Sequence, residues 1–337
     1  MPSRGLIMSH TQILRRRSGN RAGFTLTELM IVVVLVGIIG TMLTTLLVRQ
    51  QSFHRSVASI ADARARMRDI ATILPTDMRS ISTVDGDIVD LSNTALQFRA
   101  FVGASVMCGV VAGSPTIIEI PPKNLSSGNV LTAWINPPVA GDLAFIYDDG
   151  AAAGNADDAW QPYVIQTVQS AADATWCPST ATPAYTTAAD NAAVRYRITF
   201  TTPLAASIKA GAPIRFAREV RYSGYQGSDG QWYVGYQTCA YSGTIANAGV
   251  CGDREVLAGP IQPVTASAST SGLWFQYFNQ TGAEVTTTAN ARTVARADIV
   301  VRTTSMSLRR ATRINAINTE IAGGDSLRFH IGFRNRI

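Results

Sequence analysis

Few residues in this chain are placed to make or break bonds. The three histidines, His10, His54 and His330, are scattered, and the four cysteines, Cys108, Cys177, Cys239 and Cys251, form no C-x-x-C pair. Neither a zinc site nor a Cys–His catalytic pair is therefore expected. The sequence contains no P-loop and no G-x-S-x-G elbow. Asp148-Asp149-Gly150 with Asn155, Asp157 and Asp158 gathers oxygen ligands of the kind calcium takes, but without the regular spacing of an EF-hand. No metal, no cofactor and no enzymatic activity are expected. Two chemistries remain: disulfide formation, and a carboxylate, Glu28, at the edge of a long apolar run. An acid beside a membrane span is costly unless paired and tends to be functional.

The elements around Glu28 explain its position. Leu29 to Val48 reads LMIVVVLVGIIGTMLTTLLV, twenty residues without a charge and long enough to cross a bilayer as a helix. Residues 1–23 carry Arg4, Arg15, Arg16, Arg17 and Arg21 and no acid, so five of the six net positive charges lie there and about +1 is left for the rest. The high pI of 9.3 is thus a matter of membrane topology rather than of a phosphate-binding surface. The positive-inside rule puts this leader in the cytoplasm and everything after Arg49 across the membrane. An ordinary signal peptide has a shorter apolar region and an A-x-A-like site, which GTMLTTLLVRQQ does not offer. A plain single-span anchor accounts for length and charge but leaves Glu28 without a reason.

The order Arg21-Ala22-Gly23-Phe24-Thr25-Leu26-Thr27-Glu28-Leu29 closely resembles the class III signal, G-F-T-L-x-E, of type IV prepilins and type II secretion pseudopilins. Thr27 stands where isoleucine is commoner. The resemblance implies cleavage by a prepilin peptidase after Gly23 on the cytoplasmic face, and N-methylation of the new terminus at Phe24. The amine of Phe24 and the carboxylate of Glu28 are four residues apart and so share a helical face. In the family that carboxylate is thought to compensate the amine of a neighbouring subunit. An unpaired charge in an apolar filament core would be penalised, so Glu28 is expected to act in assembly.

Beyond Arg49 the pattern turns amphipathic. Phe53, Val57, Ile60, Met67, Ala71 and Leu74, with Ala63 alongside, form an apolar stripe expected to face inward, and most charged residues lie on the other faces. Pro75 is expected to end or kink this helix, with Asp77-Met78-Arg79 in a short continuation. Arg64, Arg66 and Arg68 admit a DNA-binding reading, but with Asp62 and Asp69 beside them a solvated helix face is favoured.

From about Leu91 the chain reads as β. Strands are expected over Ala95–Val102, Asp142–Tyr147, Tyr163–Val168, Ala193–Phe200, Ile214–Tyr222, Gln231–Tyr236, Gly272–Phe278, Asp298–Thr303 and Ser326–Phe333. Three passages, Gly272–Phe278 (GLWFQYF), Arg296–Arg302 (RADIVVR) and Asp325–Ile337 (DSLRFHIGFRNRI), resemble the C-terminal pattern of PilW-type minor pilins. J-type pseudopilins of type II secretion share that layout. Residues 100–210 carry no such likeness. The aromatic residues are read as sheet core rather than as a ligand cage.

All four cysteines follow the span, hence lie in the oxidising compartment, where disulfides persist. Four cysteines allow three pairings. Cys239 and Cys251 flank a short Gly/Ser-rich loop and form the favoured local pair, leaving Cys108 with Cys177; a cross-pairing of Cys251 with either of the others stays open.

The expected fold class is therefore α+β and pilin-like. A long N-terminal helix, transmembrane and then amphipathic, packs on a C-terminal antiparallel β-rich head. The expected parts are a cleaved leader at 1–23, a transmembrane helix at 24–48, an amphipathic periplasmic helix at 49–80 and the head at 81–337. The function implied by the resemblance is that of a PilW-type minor pilin that helps initiate or cap a type IV pilus. Its partners would be prepilin peptidase, the inner-membrane assembly platform, the major pilin and other minor pilins. It would sit in the inner membrane by a single pass, head in the periplasm, and then at the pilus tip. The first alternative is a J-type pseudopilin, whose mature chain is usually shorter than the 314 residues left here after cleavage. The second is a tip adhesin or DNA-binding pilin using residues 100–210; the near-neutral mature charge makes nucleic acid an improbable partner.

Overall fold

The computed structural model describes residues 25–134, 136–150, 157–241, 249–303 and 326–333, without the side chains of residues 56, 59, 60 and 63. It divides into two units, Met1–Arg55 and Ser56–Ile337. A 53-residue helix, α1 (Leu26–Met78), begins in the first and ends in the second. The described part of the first unit is the segment Leu26–Arg55, long and apolar enough to cross a membrane and exposed throughout. The hydroxyls within the apolar run do not break the helix, because each finds a backbone acceptor one turn back. Thr41 donates to Ile38 O, Thr44 to Gly40 O and Thr45 to Met42 O. Such internal satisfaction is what a lipid environment demands.

In the second unit the end of α1 is anchored by Met67, Ile70, Leu74 and Met78, all buried and spaced three or four residues apart. The inward stripe thus starts later than the periodicity predicts. Phe53 and Val57 are exposed, Ala71 is half-buried, and the side chains of Ile60 and Ala63 lie outside the described residues. Ile70 and Met78 were not part of the expected stripe. Pro75 does not end the helix, which runs on to Met78. The proline deprives the Ala71 carbonyl of its donor. Burial of Leu74 and Met78 on either side, a hydrogen bond from the Tyr222 hydroxyl to the Asp77 carboxylate and one from Arg79 N to Pro75 O hold the final turn.

The rest of the unit is antiparallel β. One edge of its large sheet begins with β1 (Ile88–Leu91) and β2 (Ala95–Val106) and continues through β9 (Pro213–Gln226), β6 (Leu143–Asp148), β7 (Ala159–Ala171) and β8 (Arg195–Phe200). It closes with β4 (Ile117–Ile120) and β3 (Gly109–Val110); β10 (Trp232–Thr238) pairs with both β9 and β11 (Glu255–Ile261), and β5 (Ala133–Trp134) with β2. A second sheet holds β12 (Leu273–Phe278), β13 (Arg296–Arg302) and β14 (Ser326–Gly332) in that order. The long apolar helix followed by a mostly antiparallel β-rich domain is the expected α+β class. Strands β1, β3, β4, β5 and β11 were not foreseen, since they are short or, in β11, interrupted by Gly259 and Pro260.

Two large hydrophobic cores lie along the pair β2–β9, besides a small cluster of Leu143, Phe145 and Ala217 on β6 and β9. The first joins the end of α1 to β1, β9, β10 and the three-stranded sheet, through Leu74, Phe98, Tyr222, Phe275 and Ile299 among others. The second, built from Met107, Ile118, Ile146, Ile165, Ile198 and Phe216 with their neighbours, belongs to the region between β2 and β9. The register between β2 and β9 shifts between Phe101 and Gly103, at the passage from one core to the other. There β5 approaches so closely that a Cβ on Gly103 would lie 2.7 Å from both Ala133 O and Trp134 Cβ. Gly103→Ala is expected to destabilise the head by about 1–3 kcal/mol. A thermal melt superimposable on that of the parent chain would show that β5 yields without cost.

Candidate assembly site at the N-terminal helix

Gly23 and Phe24 lie outside the described residues, as does the whole leader. The first residue described is Thr25, and it is the N-cap of α1. Glu28 N donates to Thr25 Oγ1 at 3.3 Å, while Thr25 N donates to Glu28 Oε2 at 3.0 Å. The Thr25 hydroxyl adds a third bond to the same carboxylate oxygen at 3.1 Å. This reciprocal arrangement is a capping box, S/T-x-x-E, which satisfies two of the four orphan donors of a helix start. Glu28 therefore has a local partner, and its charge lies in the first turn, where the helix dipole favours an anion. Sequence reasoning had assigned Glu28 to assembly alone. The T-x-x-E signal at Thr25-Leu26-Thr27-Glu28 is legible in the sequence and makes Thr25 the partner of Glu28 in the helix cap.

Beyond the span, Arg66 pairs with Asp62 at 2.9 Å and donates to Gly259 O at 2.6 Å, so the middle member of the basic trio joins helix to β11. The cysteines are joined in two bonds. Cys239 and Cys251 face each other across an isolated antiparallel bridge, their Cα atoms 3.8 Å apart. Cys108 is bonded to Cys177, with Cα atoms 5.4 Å apart and a sequence separation of 69. Cys177 has φ of +48°, a left-handed conformation unusual for a residue with a side chain. Its N–H donates to Glu119 Oε2 at 2.7 Å, and the other oxygen of Glu119 pairs with Arg197, whose guanidinium stacks on Trp176. The disulfide and this carboxylate together over-determine the strained residue.

The described acids of this loop are engaged in local hydrogen bonds. Asp148 accepts from Ser207 and from Gly150 N, and Asp158 accepts from the Tyr147 hydroxyl, whose pKa this bond pushes up to about 12. Asn155 lies outside the described residues. Among the described residues, no group of three or more His, Cys, Asp and Glu is placed to hold a metal ion.

A buried charged cluster backs the large sheet. Arg99, on β2, is fully buried, its Nε 3.9 Å from Glu219 Oε2 and its Nη1 donating to Gly86 O at 2.7 Å. Glu219 Oε1 accepts from Gln97 Nε2 at 2.6 Å and from Gly249 N at 2.9 Å. Asp87 pairs with Arg215 and accepts from Ser82 N. Burial pushes the Asp87 carboxyl above the usual range against the pull of Arg215, and burial likewise lowers Arg99 against the pull of Glu219.

Comparison with known proteins bears on the N-terminal part. No curated protein and no solved structure matches the chain. Residues 18–44 match the prokaryotic N-terminal methylation motif, a span that takes in Gly23, Phe24, the capping box and most of the apolar run. The motif implies processing by a prepilin peptidase and assembly with other pilins in a pilus or pseudopilus, and the apolar helix suggests membrane anchoring. Motif and helix together support a type IV pilin-like protein.

Proposed function

We propose that the chain is a minor pilin of the PilW type, a non-enzymatic subunit that helps initiate or cap a type IV pilus. Its helix is drawn from the inner membrane into the filament, and its head works from the periplasm and then the tip. The observation that carries this reading is Glu28, an ionised side chain in the first turn of a helix whose next twenty residues are uncharged. The capping box supplies only uncharged donors, so in an apolar bundle a cation such as a neighbour's methylated amine must meet the remaining charge. The arrangement of β12, β13 and β14 also supports the reading, since the three passages that resemble PilW-type pilins fold into one sheet.

Glu28→Ala is expected to leave cleavage intact, because the carboxylate lies beyond the cut, and to lower the filament-associated fraction by roughly tenfold or more. Thr25→Ala, which removes the cap but keeps the charge, should cost about 1 kcal/mol of helix stability and much less assembly. Quantifying processed and filament-associated chain separately checks both; normal incorporation of Glu28→Ala would remove the residue from the mechanism. The separate core between β2 and β9 favours, as a second reading, a tip module that presents this region to a ligand. A J-type role in type II secretion is distinguished by gene neighbourhood, a minor-pilin cluster against a secretin operon with further pseudopilins.

A further inference from the structure

The three-stranded sheet has two faces of opposite character. Its inner rows, Leu273–Val301–Leu327, Phe275–Ile299–Phe329 and Tyr277–Ala297–Ile331, are apolar, and all of them but Leu327 belong to or pack on the first core. Its outer rows are Trp274–Val300–Arg328, Gln276–Asp298–His330 and Phe278–Arg296–Gly332. Asp298 is the pivot of that outer face. Its side chain is only 5% exposed, yet it meets Arg296 Nε at 2.9 Å, His330 Nδ1 at 2.7 Å and Arg328 Nη2 at 3.5 Å. The three basic side chains are themselves about half exposed, at 49%, 58% and 56%. Arg296 is further held by stacking over Phe278 at 4.5 Å. One carboxylate is therefore shared among three basic groups, of which Arg296 is also held by packing on Phe278, with half-buried Trp274 and Val300 beside them.

We propose that this outer face is a docking surface for the head of another subunit, whose carboxylates the guanidinium groups of Arg296 and Arg328 receive. Arginine beside aromatic residues is the composition of protein interfaces, and a planar fork matches a carboxylate in two bonds. A phosphate polymer fits less well. The cations are few, a carboxylate stands among them, and the charge outside the leader is only about +1. Positions already fixed by Asp298 and Phe278 reduce the ordering cost that exposed arginines otherwise carry on binding.

The inference rests on the filament reading and deepens it, so the test separates the two. In producing cells, a photoreactive p-benzoylphenylalanine replaces Gln276 in the full-length chain, with the same group at Val130, exposed elsewhere on the head, as a control. The expected adduct joins position 276 to a peptide of another pilin subunit that bears Asp or Glu. Arg296→Glu/Arg328→Glu should lower its yield about tenfold, and Arg296→Gln/Arg328→Gln roughly threefold. Cleavage and both disulfides should be unchanged. Exchanging the acids of the cross-linked peptide for lysine should restore the adduct with the Glu variant. Yield indifferent to both double variants, adducts with lipid or nucleic acid, or adducts at 130 but not at 276 would each overturn the docking surface while incorporation persists. Absence of the parent chain from filaments would instead overturn the reading beneath it.

Discussion

Arginine in place of Gly23 is expected to leave the chain uncut in the inner membrane, still carrying its basic leader and absent from filaments. Mass spectrometry of the parent protein should find an N-methylated Phe24 terminus, and that of Gly23→Arg none. The reason is local. The residue before the cut has no side chain, and a long cationic one would fill the scissile position and add a sixth arginine to the leader. The effect should be all-or-none because, under the proposed function, cleavage creates the amine that pairs with Glu28. The capping box of Thr25 and Glu28 lies beyond the cut and is untouched by the change. Membrane insertion should therefore be normal, since the apolar span is unaltered. A Gly23→Arg chain found at its full shortened length in filaments, or a parent chain whose mature terminus lies beyond residue 40, would sink the prepilin reading.

Glu219→Ala should be the most damaging single change in the head. Glu219 accepts from Gln97 and Gly249 and is the carboxylate beside the fully buried Arg99, so its loss strips two donors of their acceptor and removes a counter-charge from beside a buried guanidinium. Removing one member of a buried charged pair costs about 3–5 kcal/mol. At roughly 2–4 °C per kcal/mol for a domain of this class, the melting temperature of the detergent-solubilised chain should fall by about 6–20 °C. Glu219→Gln keeps an oxygen for Gln97 and Gly249 and should fall between the two. Replacing the pair together, Arg99→Met with Glu219→Leu, should recover much of the loss, because apolar residues of similar volume carry no desolvation cost. If Glu219→Ala melts within about 2 °C of the parent, the cluster is solvated in solution and the pair contributes little.

What the sequence alone determined is concentrated at the N-terminus. There the constraint is one-dimensional: a leader charge, a small residue at the cut, an acid and twenty apolar residues must follow one another in fixed register, and no distant residue is needed to read them. The α+β class was legible for a similar reason, since strands such as β2, β9 and β12 announce themselves by their own composition. Where β2, β9 and β7 end was not, because those ends are set by partners far away in sequence, as when β9 pairs with β2 along its length and with β6 and β10 over different halves. The fate of Pro75 was likewise decided by tertiary packing: burial of Leu74 and Met78 against the sheet outweighs the hydrogen bond the proline removes. The inward stripe of α1 had to be corrected because periodicity reports which residues share a face, not where along the helix the head begins to cover it. Cross-strand neighbours on β13 and β14 made the cationic outer face, and only their register brings Arg296, Arg328 and His330 around Asp298. Pairing in a sheet links residues about thirty positions apart in the chain, and no local pattern records which ones will meet.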